Sequence, residues 1–381
     1  MKLDQYLQQL PLSSDRKGLI DLPPAKKEQA WQIVWEAFLT GDFQQRWEVA
    51  KYLPKFGDRA IAPLTTLLQT ESANLDLRCE AAALLSNFNQ ANAMFALTEV
   101  LNAESETELT TACANALAKM GKTAIPTLAE ALSNPDTRFS AVQALAYLHH
   151  PEIISPLIEV ANDPNPDIRS TVMATLSHFC DSQGRNVLIS GLQDTHSSVR
   201  KEAVISLGVR GKENPETFVS RLIPLLSDLN LEVCSHCAIA LGKIGTFQAI
   251  HALGECLQSP LTPSPLKQQI IRSFSHQETE QTLAILASSL NEQPPPIQTE
   301  IIAVLGRWKR EELKPTVAET LIQFFQELPE AQKSSNLKQG LAVALGNLNV
   351  PSGKPLLEKL AGDESAIVKL HAKAALKKLL I

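Results

Sequence analysis

The sequence predicts an all-α protein, a right-handed α-solenoid of about eleven stacked two-helix repeats. One phrase recurs along the chain: an aliphatic residue, a basic residue, and then small and aliphatic residues at helical spacing. It is clearest at Val199–Gly208 and Val233–Gly242. A recurrence every 28 to 40 residues indicates stacked units, because each unit buries its apolar stripe only against its neighbours. The second position of the phrase is occupied in turn by Arg46, Arg78, Thr110, Arg138, Arg169, Arg200, Cys234, Lys267, Gln298, Lys338 and Lys369.

Each repeat is expected to contain two helices. In the first helix, apolar residues between Val199 and Leu207 recur at i, i+4, i+5 and i+8, which is the stripe of an amphipathic helix. We expect Gly208 or Gly211 to end this helix. A second helix follows the first, as at Ala124–Leu132, and the alternating pattern of a β-strand is absent from the sequence.

The chain is predicted to have two parts. Residues 1–41 are less regular and contain Trp31, Trp35 and Phe38, so we interpret them as an N-terminal helical cap over the first exposed core face. Residues 42–381 are expected to form the repeat solenoid as a single continuous domain.

Composition excludes several classes of protein. A net charge of −6 argues against nucleic acid as the main partner, since phosphate binding needs a basic face. Six cysteines in 381 residues do not form the disulfide framework of a small secreted domain. The segment Met1–Lys17 has no continuous apolar stretch, and no run reaches the ~18 apolar residues of a membrane span. We therefore expect a cytoplasmic protein with protein partners, no nucleic-acid partner and no membrane span.

The repeat phrase resembles the HEAT-like repeat of the phycobilisome-lyase class over residues 42 to 380. The resemblance depends on a Val/Ile-Arg-x-x-Ala-x-x-x-Leu-Gly helix followed by an Ala-Ile/Val-x-Pro-Leu-Ile-x-x-Leu helix. It implies that the second helices line a concave face where a partner docks. It also implies a cyanobacterial or plastid setting, around phycobilisomes or iron–sulfur assembly. This repeat serves scaffolds, assembly factors and bilin lyase subunits alike, so it does not fix the function.

The basic residues of the phrase have two interpretations, a binding ladder or a structural one. We favour the structural one, because an aspartate lies six positions before several residues at the second position of the phrase, at Asp163, Asp194, Asp228 and Asp363. Stacking would place the two columns side by side as ion pairs between repeats.

Aligned second helices predict which residues line the concave face. One column is acidic, with Glu99, Glu130, Glu159 and Glu255, and it would attract a basic segment of a partner. The alternative is that glutamate is simply a good exposed helix former. The candidate partner-binding residues are Phe95, Glu99, Glu130, Glu159, Arg185, Arg221, His251 and Glu255, and Asn186, Ser190, Ser220 and Pro224 are expected on the same face.

Cysteine suggests a metal or cluster site as an alternative. Cys234 and Cys237 form a C-x-x-C, and Cys256 lies on the partner helix, so thiolates could hold zinc or an iron–sulfur cluster. However, Cys237 lies in a column of small buried residues and Cys234 in the outer basic column, and a second C-x-x-C is missing, which favours buried free thiols. We expect no cofactor.

The leading hypothesis is a protein-binding scaffold, adaptor or assembly factor that uses its concave face. No catalytic motif is present, so an enzyme is not the favoured interpretation. The enzymatic alternative is a bilin lyase, or a lyase subunit, that attaches an open-chain tetrapyrrole to a phycobiliprotein. In that alternative Arg185 or Arg221 would bind the propionates.

Overall fold

The structure, a computed structural model, describes residues 23–103, 106–179 and 181–379. Within these ranges it contains 22 α-helices, short 3-10 turns and no strand. The all-α solenoid prediction is therefore confirmed. The chain divides into two compact units, an N-terminal unit that ends at Gly184 and a C-terminal unit that begins at Arg185.

Helices of the N-terminal unit alternate between the first and second helix of each repeat. They follow the cap helix α1 and have short polar connections. Their bounds are α1 Pro24–Thr40, α2 Phe43–Ala50, α3 Ile61–Gln69, α4 Leu75–Leu85, α5 Ala91–Ala103, α6 Thr107–Lys119, α7 Ile125–Ala131, α8 Pro135–Leu148, α9 Ile154–Glu159 and α10 Pro166–Leu176.

The same alternation continues through the C-terminal unit. Helix α11, Ser182–Gly191, contains the boundary between the units. The later helices are α12 Ser197–Val209, α13 Pro215–Leu222, α14 Leu231–Ile244, α15 Phe247–Gln258, α16 Ser264–Ser273, α17 Glu280–Glu292, α18 Pro295–Leu305, α19 Lys314–Glu327, α20 Ser335–Leu348, α21 Lys354–Ala361 and α22 Ala366–Leu379.

The recurring phrase has the same register in every repeat. Each of its eleven basic or polar positions, from Arg46 in α2 to Lys369 in α22, is the fourth residue of an even-numbered helix. These even-numbered helices are the first helices of the repeats, and the odd-numbered helices α3 to α21 are the second helices. Several first helices begin after an asparagine that caps the free N–H groups, for example Asn134 before α8 and Asn230 before α14.

The core consists of small and aliphatic side chains between stacked helices. First helices pack on first helices, as in α6 on α8 and α14 on α16, and second helices contact second helices, as in α3 with α5 and α15 with α17. Fully buried residues such as Ala81, Leu117 and Ala203 form the shared seam. Burial of such a seam stabilises each repeat mainly through its neighbours.

Gly208 does not end its helix as expected, because α12 continues to Val209. Its role is to let the next first helix approach closely: a Cβ on Gly208 would lie 2.7 Å from the Cβ of Ala240 in α14. The same contact recurs in the C-terminal unit, where Gly346 faces Ala375. The glycine is thus a packing residue.

The cap helix α1 buries Trp31 and Phe38 of the aromatic residues that the sequence singled out and leaves Trp35 half-buried. Trp31 stacks on Trp35 with ring centroids 5.4 Å apart and meets Phe56 edge-on at 5.3 Å, while Phe38 is fully buried. The rest of the expected cap, residues 1–22, lies outside the described residues. The cap of 1–41 and the single domain of 42–381 stay predictions.

Candidate functional site

The basic column belongs to an Asp–Arg ladder that holds successive first helices together. Arg138 donates from Nη1 to Asp163 at 2.6 Å, and Arg200 donates from Nε and Nη2 to the two carboxylate oxygens of Asp228, each at 2.7 Å. In both cases the aspartate belongs to the following repeat. Lys338 and Asp363 form the same contact at 2.7 Å.

Each aspartate of the ladder also organises its own loop. Asp228 accepts from the backbone N–H of Asn230 at 2.8 Å, and its backbone carbonyl accepts from the Cys234 thiol at 3.2 Å. The hydrogen bonds from Arg200 hold the pKa of Asp228 below its ordinary value, and Lys338 does the same for Asp363. The ladder therefore uses its charges internally, in agreement with the structural interpretation.

In two repeats of the C-terminal unit, hydrogen bonds to neutral acceptors are present in place of the ion pair. Lys267 donates to the side-chain oxygen of Gln293 at 2.8 Å, and the Gln293 amide donates to the Leu257 carbonyl at 3.2 Å. Gln298 donates to the Leu290 carbonyl at 2.9 Å. Lys267 thus still reaches the loop before the next first helix, whereas Gln298 bonds back to the preceding second helix.

The second-helix surface of the N-terminal unit carries four of the candidate residues: Phe95, Glu99, Glu130 and Glu159. Phe95 is 63% exposed, and the three glutamates are exposed. Helices α3, α5, α7 and α9 contain these three carboxylates and no lysine or arginine. Glu99 accepts from the Gln69 side chain of α3 at 3.1 Å. This surface is acidic around one exposed aromatic ring.

The second-helix surface of the C-terminal unit has mixed charge. A cleft of about 430 Å³ is lined by Arg221 together with four residues that were expected on the same face, Asn186, Ser190, Ser220 and Pro224. Arg185 lies 3.7 Å from the carboxylate of Glu213, and its buried Nε has no hydrogen-bond partner among the described residues.

Two further candidates lie together on α15. His251 Nδ1 is 3.5 Å from Glu255, and its ring stacks at 6.3 Å on Phe247, which is 73% exposed. Phe247 was missed by the sequence analysis. Its spacing of i, i+4 and i+8 with His251 and Glu255 is the signal that could have found it.

The cysteines of the C-x-x-C are buried thiols that donate hydrogen bonds. Cys237 is fully buried and donates to the Leu222 carbonyl at 3.0 Å. Burial raises the pKa of Cys237 well above its ordinary value and raises that of Cys234. Cys234 is the fourth residue of α14 and so lies in the basic column, as expected, but it is buried and does not face outward. The Cys234 thiol occupies the position that an arginine has elsewhere in the ladder, and it donates to the backbone carbonyl of Asp228.

Metal ligation was the alternative for these cysteines. Among the described residues, no three histidine, cysteine, aspartate or glutamate side chains are arranged to hold a metal ion. Protonated thiols in hydrogen bonds to carbonyls are poor ligands, since a metal binds the thiolate. These residues do not fit a cluster as they are placed.

Comparison with known families identifies the repeat. The family profile of HEAT repeats matches residues 125–208 and 185–275, so this part of the chain contains HEAT repeats. No curated protein matches the chain significantly. The phycobilisome-lyase class remains an implication of the repeat phrase.

Solved structures with a similar fold are larger helical solenoids. Kap121p bound to Ste12p is similar with a TM-score of 0.66 and 14% identity, over 94% of this chain and 45% of Kap121p. Kap121p bound to the extreme C-terminus of the protein phosphatase Cdc14p has a TM-score of 0.59 and 12% identity, over 94% of this chain and 46% of Kap121p. The structure of Kap95p with RanGDP has a TM-score of 0.53 and 12% identity, over 98% of this chain and 65% of that chain. The chain thus spans about half the length of Kap121p, and these likenesses concern the fold.

No helix among the described residues combines the length and the apolar character that a membrane crossing needs.

Proposed function

We propose that this protein is a binding scaffold whose N-terminal unit holds a basic segment of a partner protein on its second-helix surface. The observation that carries the proposal is the charge of that surface. Its helices contribute Glu99, Glu130 and Glu159 and no basic side chain, around the exposed ring of Phe95.

The charges and the ring have complementary roles in binding. Exposed carboxylates of one sign attract a basic ligand and speed its encounter, although each exposed pair contributes little affinity. An exposed aromatic side chain supplies the apolar contact that most of the affinity of an interface depends on. We therefore expect the ligand to be a lysine- or arginine-rich segment with at least one large apolar residue.

The fold supports a ligand of this kind. Kap121p, which shares the helical fold, has been solved bound to the extreme C-terminus of the protein phosphatase Cdc14p. A terminal or extended segment would fit a surface made of parallel second helices, since it can contact several repeats at once.

Charge reversal on this surface tests the proposal. Replacing Glu99, Glu130 and Glu159 with lysine should weaken binding of a synthetic basic peptide that contains phenylalanine. The expected loss is about tenfold to a hundredfold, because each exposed pair contributes up to about 1 kcal/mol. Fluorescence anisotropy at low salt measures it, and Phe95→Ala should also weaken binding.

The matched control reverses three exposed acids of the same unit that lie on other helices, Glu36, Glu108 and Asp136. Both triple variants change the formal net charge from −6 to zero. Equal losses in the two variants would mean that net charge alone attracts the peptide, and the proposal would then fail.

The phycobilisome setting and the bilin lyase alternative follow from the family resemblance, and one observation favours the alternative. The cleft of about 430 Å³ beside Arg221 has a size typical of small-molecule sites, and a guanidinium suits a propionate. If the protein binds an open-chain tetrapyrrole, mixing the two should give a red-shifted absorption band that Arg221→Ala abolishes. An unchanged spectrum would contradict the alternative.

An iron–sulfur assembly role would be a role in partner binding, since the cysteines do not fit a cluster.

A further inference from the structure

The first two repeats are separated by a cleft that interrupts the regular stacking. Within each unit, consecutive first helices pack along their lengths, except α2 and α4, which approach closely at few points. Helix α2 has eight residues, and the chain after it turns through a 3-10 stretch in which Gly57 has a φ of 62°. The cleft that results has a volume of about 1020 Å³. We name it the Trp47 cleft.

The walls of the Trp47 cleft combine apolar side chains with the polar side chains of Asn87, Asn89 and Gln90. Phe56 and Phe88 contribute aromatic rings, and Leu84 and Pro54 contribute aliphatic surface. Trp47 lines the cleft and is 62% exposed. An aromatic side chain of this size is costly to leave in water and is the residue type most enriched at binding hot spots.

Lysines supply most of the charge of the cleft. Lys51 and Lys55 both line it, and their ammonium groups lie 5.7 Å from the Trp47 ring and 5.2 Å from the Tyr52 ring. One acid, Asp58, also lines the cleft, and it accepts a hydrogen bond from Gln90. Lys51 pairs with Glu48 at 2.9 Å, but both partners are about half exposed, and such a pair exchanges easily with another carboxylate.

We propose that the Trp47 cleft is a second docking site, for an acidic segment of a protein partner that inserts a large apolar side chain. Charge complementarity selects this occupant, because the lining carries two lysines and one aspartate. The second-helix surface of the same unit has the opposite charge. The two surfaces would let one unit hold two partners of opposite charge.

The experiment compares two synthetic peptides on the full chain. The acidic peptide contains glutamates and a phenylalanine, and in the basic peptide lysines replace the glutamates. Trp47→Ala should weaken acidic-peptide binding by about 30-fold, the loss typical of an interface hot spot, and Lys51→Glu with Lys55→Glu should weaken it further. Trp47→Ala, which leaves the net charge unchanged, should not alter binding of the basic peptide.

Phe95→Ala is the reciprocal control. It should weaken the basic peptide and leave the acidic peptide unaffected, so failure of the Trp47 cleft and failure of the second-helix surface are distinguishable. Trp47 and Phe95 are about equally exposed, and far-UV circular dichroism with thermal unfolding should show that both variants keep the fold.

Three outcomes would overturn the proposal. The first is that the acidic peptide does not bind, or that it still binds equally well after both Trp47→Ala and the lysine reversals. The second is a dimer in sedimentation velocity that Trp47→Ala abolishes, since a second copy would then be the occupant. The third is that the acidic peptide binds only when Leu3→Asp and Leu7→Asp are introduced. The occupant of the cleft in the unchanged protein would then be the chain's own first residues.

Discussion

Replacing Asp228 with alanine is expected to destabilise the C-terminal unit by about 2–4 kcal/mol, because a nearly buried ion pair loses one partner. The Asp228 side chain is 8% exposed and accepts three hydrogen bonds, two from Arg200 and one from the Asn230 backbone. Removing it leaves a largely buried guanidinium without its counter-charge. Urea unfolding followed by circular dichroism measures the loss, and hydrogen exchange should localise it to α12 and α14.

A neighbouring ion pair provides the control. Lys201 and Glu232 also link α12 to α14, at 3.0 Å, but the Glu232 side chain is 61% exposed. Because water screens an exposed pair, Glu232→Ala should cost less than about 1 kcal/mol. If the two alanine variants lose the same stability, the ladder does not depend on buried charge and our interpretation of it is wrong.

The same aspartate makes stability depend on pH in a defined direction. Its pKa is lowered in the folded protein by Arg200, so the folded state binds its proton less readily than the unfolded state does. The contribution of the ion pair is therefore complete at neutral pH; it begins to be lost as the pH falls towards the ordinary pKa of aspartate, and it is lost fully only below the lowered pKa of the folded state. Asp228→Asn should reduce this acid sensitivity, which urea midpoints measured from neutral to acidic pH would show.

The repeat register was predictable from the sequence because one local pattern recurs along the chain. An aliphatic residue followed by a basic one marks the third and fourth positions of six of the eleven first helices, and a preceding aspartate marks several of the loops. The ion pairs Arg138–Asp163 and Arg200–Asp228 follow from stacking two such columns. Periodicity and local spacing carry this information, so no tertiary knowledge was needed.

Features that depend on the distance between helices were not predictable. The glycine at the end of the phrase looks like a helix stop, yet Gly208 lies inside α12 and contacts Ala240. The exposure of Trp47 follows from the separation of α2 and α4. For the candidate site, the sequence indicated exposed positions such as Phe95 and Arg221. It could not indicate the clefts, because a cleft is formed by the gap between repeats.

Gly346→Ala is expected to destabilise the C-terminal unit by about 1–3 kcal/mol, the usual cost of overpacking. A Cβ at this position would lie 2.6 Å from the Cβ of Ala375 and 3.0 Å from its Cα, so α22 would have to move away from α20. The backbone of Ala375 belongs to a packed helix and cannot yield as a flexible side chain would. Thermal and urea unfolding measure the change.

Gly340 is a matched control within the same helix. Its nearest neighbour is Ile302 Cγ2, 3.9 Å from a built Cβ, so an alanine fits without strain. Gly340→Ala should therefore stabilise the protein by about 0.5–1 kcal/mol, since alanine loses less conformational entropy on folding and favours the helix. The two identical substitutions, six residues apart in α20, should thus have opposite signs. A stabilising effect of Gly346→Ala would show that α20 and α22 are not held at the distance on which the stacking of these repeats depends.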